Sequence, residues 1–362
     1  ALGYGAINKN STGTQIVALG VNAGYYATGS YNTFVGSEAG KGGTTSAPYS
    51  SGEYNVAVGY QSLDAFTTGF RNVGVGKDTL GLLTTGQKNT AIGDEAFFTL
   101  GKGNYSVAVG AAAGYYATGS YNTFMGYEAG KGGTSSAPHS SGEYNTAIGY
   151  NALKGFTTGH ENTVMGYQAA YSLTSADNNV IIGYQTGYSL TTARYNVLIG
   201  DQAGYSLSTS SDSNENVMIG NSAGRNADAD TNAAHYNVYI GSGAGYYMDD
   251  GDSNVYIGRE AGKGSGTGNN ATQNILIGYQ SGFSITTADG AVGVGYNSLR
   301  ALTSGGNNTA IGQQAGYSLT TPVENTAVGQ AALFYNETGN YNVAIGRASM
   351  FGVSGNSHEN NT

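Results

Sequence analysis

The chain carries four histidines, 23 acidic side chains and no cysteine, and these bound the chemistry it can do. Thiol catalysis, disulfides and zinc–thiolate sites are excluded. His139 and His160 lie in a segment that repeats an earlier one, where Tyr49 and Phe70 take their places. Neither imidazole is therefore required by the unit that carries it, and His235 and His358 stand alone. Glu38, Glu95, Glu128 and Glu260 are scattered. Paired carboxylates cleave polysaccharides, so a depolymerase is one reading, but a cleft needs irregular loops and this sequence is uniform. No catalytic residue and no enzyme activity are expected. Two acidic stretches have the hard oxygen ligands that calcium prefers: Asp228, Asp230 and Asn232, and Asp249, Asp250 and Asp252 around Gly251. Neither matches a full calcium-loop pattern, so solvated turns are the expectation, with calcium the one candidate metal and no other cofactor. N-x-[ST] occurs at Asn10, Asn104, Asn270 and Asn336, which matters only where a glycosylation machinery exists.

Rings and hydroxyls recur with more order. Tyr115, Tyr171, Tyr188, Tyr205, Tyr246, Phe283, Tyr317, Phe334 and Phe351 occupy one position of a repeat. They form either a stacking ladder or a strip on which sugar rings can lie. Thr67, Thr84, Thr157, Thr191, Thr286 and Thr320 also recur. A flat threonine array is what an ice-binding solenoid needs, but insertions interrupt this one.

The elements that position these groups are set by an internal repeat. A short apolar strand ends in Gly, as in N-T-A-I-G at 89–93, 145–149 and 308–312. Twenty such anchors exist, among them Gly20, Gly59, Gly76, Gly93, Gly149 and Gly312. Of nineteen spacings, twelve are 17, two are 16 and five run from 20 to 23. The residue before the anchor is always aliphatic or Met. The residue three after it is always Ala, Ser or Thr, which implies a narrow interior. Four before it stands Asn in sixteen of nineteen cases, including Asn89, Asn145 and Asn308; Ile16, Ser106 and Ala291 depart. Stacked Asn side chains predict an amide ladder. The invariant Gly predicts a turn with positive φ or a close backbone approach.

A second turn, T-T-G at 67–69, 84–86 and 157–159, suggests two short strands per unit. One unit cannot bury its apolar face alone, so units must stack. The fold expected is all-β: a single continuous parallel β-solenoid, or β-roll, over residues 1–362. It has about twenty coils and a 17-residue repeat, and at about 4.8 Å per coil it is a rod of roughly 95 Å. Segments 23–68 and 113–158 are near-identical at an offset of 90. Their shared insertion, holding Pro48 and Pro138, is either a recognition loop or a tolerated one.

Composition agrees. Gly is 61 and Tyr 30 of 362 residues, and charged side chains are 10%, against about 25% usually. Net charge is −9 with no basic cluster, so nucleic acid is not an expected partner. No apolar run is long enough for membrane insertion as a helix.

The stretch N-T-A-I-G-Q-Q-A-G-Y-S-L-T-T at 308–321, and its variant at 196–207, resembles the head repeats of trimeric autotransporter adhesins and, more closely, the repeat shafts of bacteriophage tail fibres. The resemblance covers almost the whole chain. It implies a left-handed parallel β-roll, three chains around a threefold axis, and attachment to a surface. The repeat here is longer than the usual adhesin repeat, and no coiled-coil stalk or anchor is visible. The expected function is that of a non-enzymatic structural element of an extracellular, cell-surface or virion fibre, with surface glycans as candidate partners.

Two further expectations concern association. If residues −3 and −1 from the anchor face the core, residue −2 faces outward. Val164, Ile181, Leu198, Met218, Tyr239, Tyr256 and Leu276 hold that position in seven successive coils. They predict an apolar stripe that packs on another chain or on a neighbouring wall of the same chain, with a thicker two-sided core as the alternative. The chain also opens Ala1-Leu2-Gly3 and closes Asn361-Thr362, which join as N-T-A-L-G. That phase match predicts continuation in a filament, by end-to-end stacking or as a portion of a longer solenoid.

Overall fold

A computed structural model describes the chain except residues 134–138, 208–212, 227–233, 267, 356, 358 and 362. The chain forms two compact units, Ala1–Asn178 and Asn179–Thr362. Every coil after the first, which has only an isolated bridge at Leu2, contributes one three-residue strand, from β1 (Val17–Leu19) to β9 (Thr163–Met165) in the first unit and from β10 (Val180–Ile182) to β19 (Val343–Ile345) in the second. Within each unit consecutive strands pair parallel and in register: Val73, Gly74 and Val75 face Thr90, Ala91 and Ile92, and Val238, Tyr239 and Ile240 face Val255, Tyr256 and Ile257. No helix occurs among the described residues. The parallel β-solenoid expected from the repeat is the fold.

The second strand per coil is not formed. After the anchor the backbone alternates between ordinary and left-handed residues. Positions +2 and +4 have positive φ in all twenty coils, as at Asp78 (52°) and Leu80 (53°). Alternation of this kind cannot make a strand. It still delivers coil-to-coil bonds: Asp78 N–H donates to Tyr60 O at 2.9 Å and Leu82 N–H to Phe98 O at 2.9 Å. Left-handed φ costs an ordinary residue roughly 1 kcal/mol; these ladder bonds offset it.

The anchor meets both conditions expected of it. Gly76 has φ 138°, and a Cβ there would collide with the carbonyl of Gly93, the next anchor. The asparagines form the expected ladder. Asn72 Oδ1 accepts the backbone N–H (3.0 Å) and side-chain N–H (3.1 Å) of Asn89. Asn89 Nδ2 also donates to Gly103 O at 2.8 Å. Each buried amide thus ties its coil to the next strand and to the turn that precedes the following strand. Ser106 continues the ladder: its N–H donates to Asn89 Oδ1, and its Oγ accepts from the Asn122 N–H. At Ala291 only the backbone N–H bond to Asn274 Oδ1 survives.

The inside and outside of the strand are the reverse of the expectation. Residues −3 and −1 are half-buried or exposed, and −2 is buried in every strand. Val164, Ile181, Leu198, Met218, Tyr239, Tyr256 and Leu276 are each fully buried inside their own chain, so they form no stripe on its surface and no interface with another chain. The reason lies across the coil at position +4. Where −2 is large, +4 is Gly: Phe34 faces Gly40, Phe124 Gly130, Tyr239 Gly245 and Tyr256 Gly262, and a Cβ on Gly245 would lie 2.6 Å from Tyr239 Cδ2. Where −2 is Ala or Gly, +4 is large and buried, as in Ala57 with Leu63, Ala91 with Phe97 and Gly293 with Leu299. One bulky side chain fills each coil, from one wall or the other. Exceptions such as Ala108 with Gly114 are filled by the neighbours' Phe97 and Phe124. The small +3 residues, including Ala96 and Ser298, are fully buried apart from Ala6 and Ser349 in the first and last coils, as the narrow interior requires.

Gly76→Val places a β-branched residue at φ 138° against a backbone carbonyl, so a loss of about 3 kcal/mol or more is expected in denaturant unfolding; unchanged stability would reject the turn assignment. The core exchange is testable in the same way. Phe124→Ala alone should cost about 3–5 kcal/mol. Adding Gly130→Phe, which reproduces the Ala91–Phe97 arrangement, should recover most of that loss in a double-mutant cycle.

Candidate functional site

Three surface features repeat with the coils. The first is the outer face of the strands. Residue −1 is aliphatic or Met throughout and −3 is Val, Ile or Thr, and this face lacks charge. In the first unit Val17, Leu19, Ile92, Met125 and Met165 are all more than 40% exposed, and in the second Ile275, Ile311 and Ile345 are also. A sheet face of this composition is normally covered.

The second feature is a set of ring columns. The nine aromatics named from the sequence stand at +5 and are half-buried, apart from the more exposed Phe351. In the second unit the column includes cations as well as rings. Tyr188 and Tyr205 stack at 5.2 Å, and Phe334 stacks with Tyr317 at 4.9 Å and with Phe351 at 5.1 Å. Arg225 lies between Tyr205 and Tyr246, and Arg300 between Phe283 and Tyr317, at 5.0–5.8 Å. These are ladder contacts of the kind that hold coils together. A column not foreseen runs at −5 in the first unit, where Tyr105, Tyr121 and Tyr144 stack at 5.3 and 4.8 Å and Arg71 and Lys88 cover Tyr54 and Tyr105. Its signal is a tyrosine directly before the ladder position, Tyr-Asn at 54–55, 121–122 and 144–145 and Tyr-Ser at 105–106.

The third feature is a compound site that occurs three times. A coil carrying A-G-Y-Y is followed by one carrying E-A-G-K-G: 23–26 with 38–42, 113–116 with 128–132, and 244–247 with 260–264. The two tyrosines meet edge to face at 4.6 Å (Tyr25–Tyr26), 4.5 Å (Tyr115–Tyr116) and 4.5 Å (Tyr246–Tyr247). The glutamate pairs with its lysine at 3.3 Å (Glu38–Lys41), 2.6 Å (Glu128–Lys131) and 2.8 Å (Glu260–Lys263). A third coil adds Gln61 to Glu38, Lys154 to Glu128 and Gln280 to Glu260, at 2.7–2.9 Å. All three carboxyls are held below the usual range. For Glu38 the Gln61 bond acts most. For Glu128 burial opposes the shift and the two lysines overcome it. For Glu260 Lys263 acts first and Gln280 next. Beside each site lies a shallow hollow of about 420, 350 and 310 Å³ walled by the tyrosine pair; small +1 and +2 residues floor the second and third, whereas Tyr4, Gly5 and Asn22 line the first. The insertion joins two of the sites: Tyr49 stacks on Tyr26 and His139 on Tyr116, at 5.9 and 5.8 Å. The third copy lies outside the duplicated segments 23–68 and 113–158, and the shared pentapeptide E-A-G-K-G is its mark in the sequence.

The remaining candidates have structural work. His160 Nδ1 accepts the N–H of Glu143. Asp252 Oδ1 accepts the N–H of His235 at 2.8 Å, and Asp249 accepts from Gly268; those two carboxylates serve different backbone groups. Asp228, Asp230 and Asn232 lie outside the described residues. Among the described residues no group of three or more His, Cys, Asp or Glu could hold a metal ion. The threonine hydroxyls donate to the next coil, Thr67 to Thr84 O and Thr320 to Glu337 O at 3.1 and 2.9 Å, so they do not form a free array. Asn336 is buried and Asn10 bonds Gly13, whereas Asn270 is exposed. No helix among the described residues is long and apolar enough to cross a membrane.

No protein-family model matches the chain, and no curated protein is found related to it in sequence.

One carboxyl is perturbed in the other direction. Burial pushes Asp64 up to about 6, against the attraction of Lys41. In the second copy Lys154 takes its place, so it is no fixed part of the site. A raised carboxyl favours the folded state at low pH and loses that advantage as pH rises through about 6. Asp64→Asn should leave stability unchanged at pH 3.5 and raise it by about 1 kcal/mol at pH 7.5, allowing for solvent screening. Equal effects at both pH values in chemical denaturation would contradict the assignment.

Proposed function

We propose that this chain is a non-enzymatic structural element of an extracellular or virion fibre, and that it self-associates side by side through the outer face of its strands. The observation that carries this is the aliphatic face at −3 and −1. Nine strands in the first unit carry two such side chains each, six of the eighteen exposed and twelve half-buried, in one continuous row. The face is uncharged and repeats at strand spacing, about 4.8 Å. Its ridges find matching grooves on a surface with the same period, and a second copy of the chain supplies one. The trimer implied by the resemblance is one closed arrangement of such faces. The ring columns and the three compound sites lie on other positions of the coil, which leaves them free for surface attachment.

Sedimentation velocity and negative-stain microscopy test this together. The full chain should sediment as a homo-oligomer at micromolar concentration and appear as particles wider than one solenoid. Ile92→Lys with Ile148→Lys should weaken association at least tenfold while leaving the circular dichroism unchanged, because both side chains are partly exposed in the single chain. A monomeric parent, or a variant that associates as the parent does, would overturn the proposal.

A further inference from the structure

We infer that each A-G-Y-Y / E-A-G-K-G pair of coils is a binding subsite for a neutral pyranose unit of a polysaccharide. The hollow has the three parts such a sugar needs. The edge-to-face tyrosines give an angled aromatic wall for the C–H face of the ring. The glutamate offers acceptors and the lysine donors for hydroxyls, at a fixed separation because the two are already paired. The small floor residues, Ala111 and Ala112 or Ser242 and Gly243, leave room for a ring to lie down.

The electrostatics select a neutral sugar. Lys41 and Lys263 each face one carboxylate held in its charged form, Lys131 and Lys154 share Glu128, and Arg259 beside the third hollow lies over the ring of Tyr279, so no lysine of these sites stands without a carboxylate. Asp94 and Glu95 on the rim of the second copy add negative charge. The ladder cations at Arg225 and Arg300 are different, being packed between rings.

Recurrence is the second argument. Two copies lie in the near-identical segments, but the third, at 244–264, lies outside them and carries the same two tyrosines, glutamate and lysine at the same positions, again beside a hollow. The first two copies lie in one unit, five coils apart, which is about 24 Å at strand spacing. A single extended polysaccharide can reach both, so weak subsites add through avidity. The fibre reading gives this site its biological setting, but the binding itself does not depend on it.

The test is binding of the labelled full chain to a printed array of neutral hexose oligosaccharides, with uronate-containing and sulfated oligosaccharides alongside. The parent should bind neutral members only. The triple variant Glu38→Gln, Glu128→Gln and Glu260→Gln keeps the packing but frees the lysines; it should lose at least tenfold on neutral members and gain acidic ones. Tyr26→Ala with Tyr116→Ala and Tyr247→Ala should abolish binding, and the glutamine variant decides the matter if the alanine variant fails to fold. A parent that binds no neutral member, a parent that prefers acidic members, or a glutamine variant with the parent's pattern would each overturn the inference. Sedimentation of the same variants separates the two proposals: retained association with lost binding affects this site alone, and lost association with retained binding affects the fibre reading alone.

Discussion

Each coil is one strand tall, so almost every side chain rests on its own counterpart in the coils above and below. That constraint governs the rest of the structure. At the anchor it leaves no volume for a Cβ, because the carbonyl of the next anchor fills the space. At position −4 it turns a buried amide, which would be costly alone, into a ladder in which each oxygen receives two donors from the next coil. At +5 it forces rings and cations into columns. Like on like is favourable for Gly, Asn, Thr and aromatic rings. It is unfavourable for charges, which is a physical reason for a chain with 10% charged residues.

The interior shows how much freedom this leaves. A coil has room for about one large side chain, and the strand and the opposite wall share the duty of providing it. Phe97 fills its coil from the wall, Phe124 from the strand, and the Ala and Gly between them are accommodated by both. The core is therefore conserved in volume rather than in position, as packing at protein density demands. The outer strand face has no such partner in its own chain, and that asymmetry is what makes association the natural reading.

Much of this was legible in the sequence. The anchor spacing gave the solenoid, and the Asn and small-residue positions gave the ladder and the narrow core. The strand faces were misread because aliphatics at −3 and −1 look like core residues, while Ala, Gly and Tyr at −2 do not. The decisive signal was the exchange between −2 and +4, visible across twenty aligned repeats of one chain: Tyr239 with Gly245 against Ala91 with Phe97. The second strand was misread for another reason. Left-handed φ at Leu80 or Phe97 is not a property of those residues; the stacking imposes it against their local preference. The tyrosine–glutamate–lysine sites lay between these extremes, written plainly in E-A-G-K-G but meaningful only once the coils placed them side by side.

The inside–outside assignment supports every later step, and the absence of native cysteine makes it directly measurable. Ala91→Cys and Ile92→Cys place a thiol at adjacent positions of one strand. In the dissociated, folded chain the account requires rapid thiol modification at 92 and protection at 91, with a ratio of rates of 100-fold or more. Rapid modification at 91 with protection at 92 would contradict it.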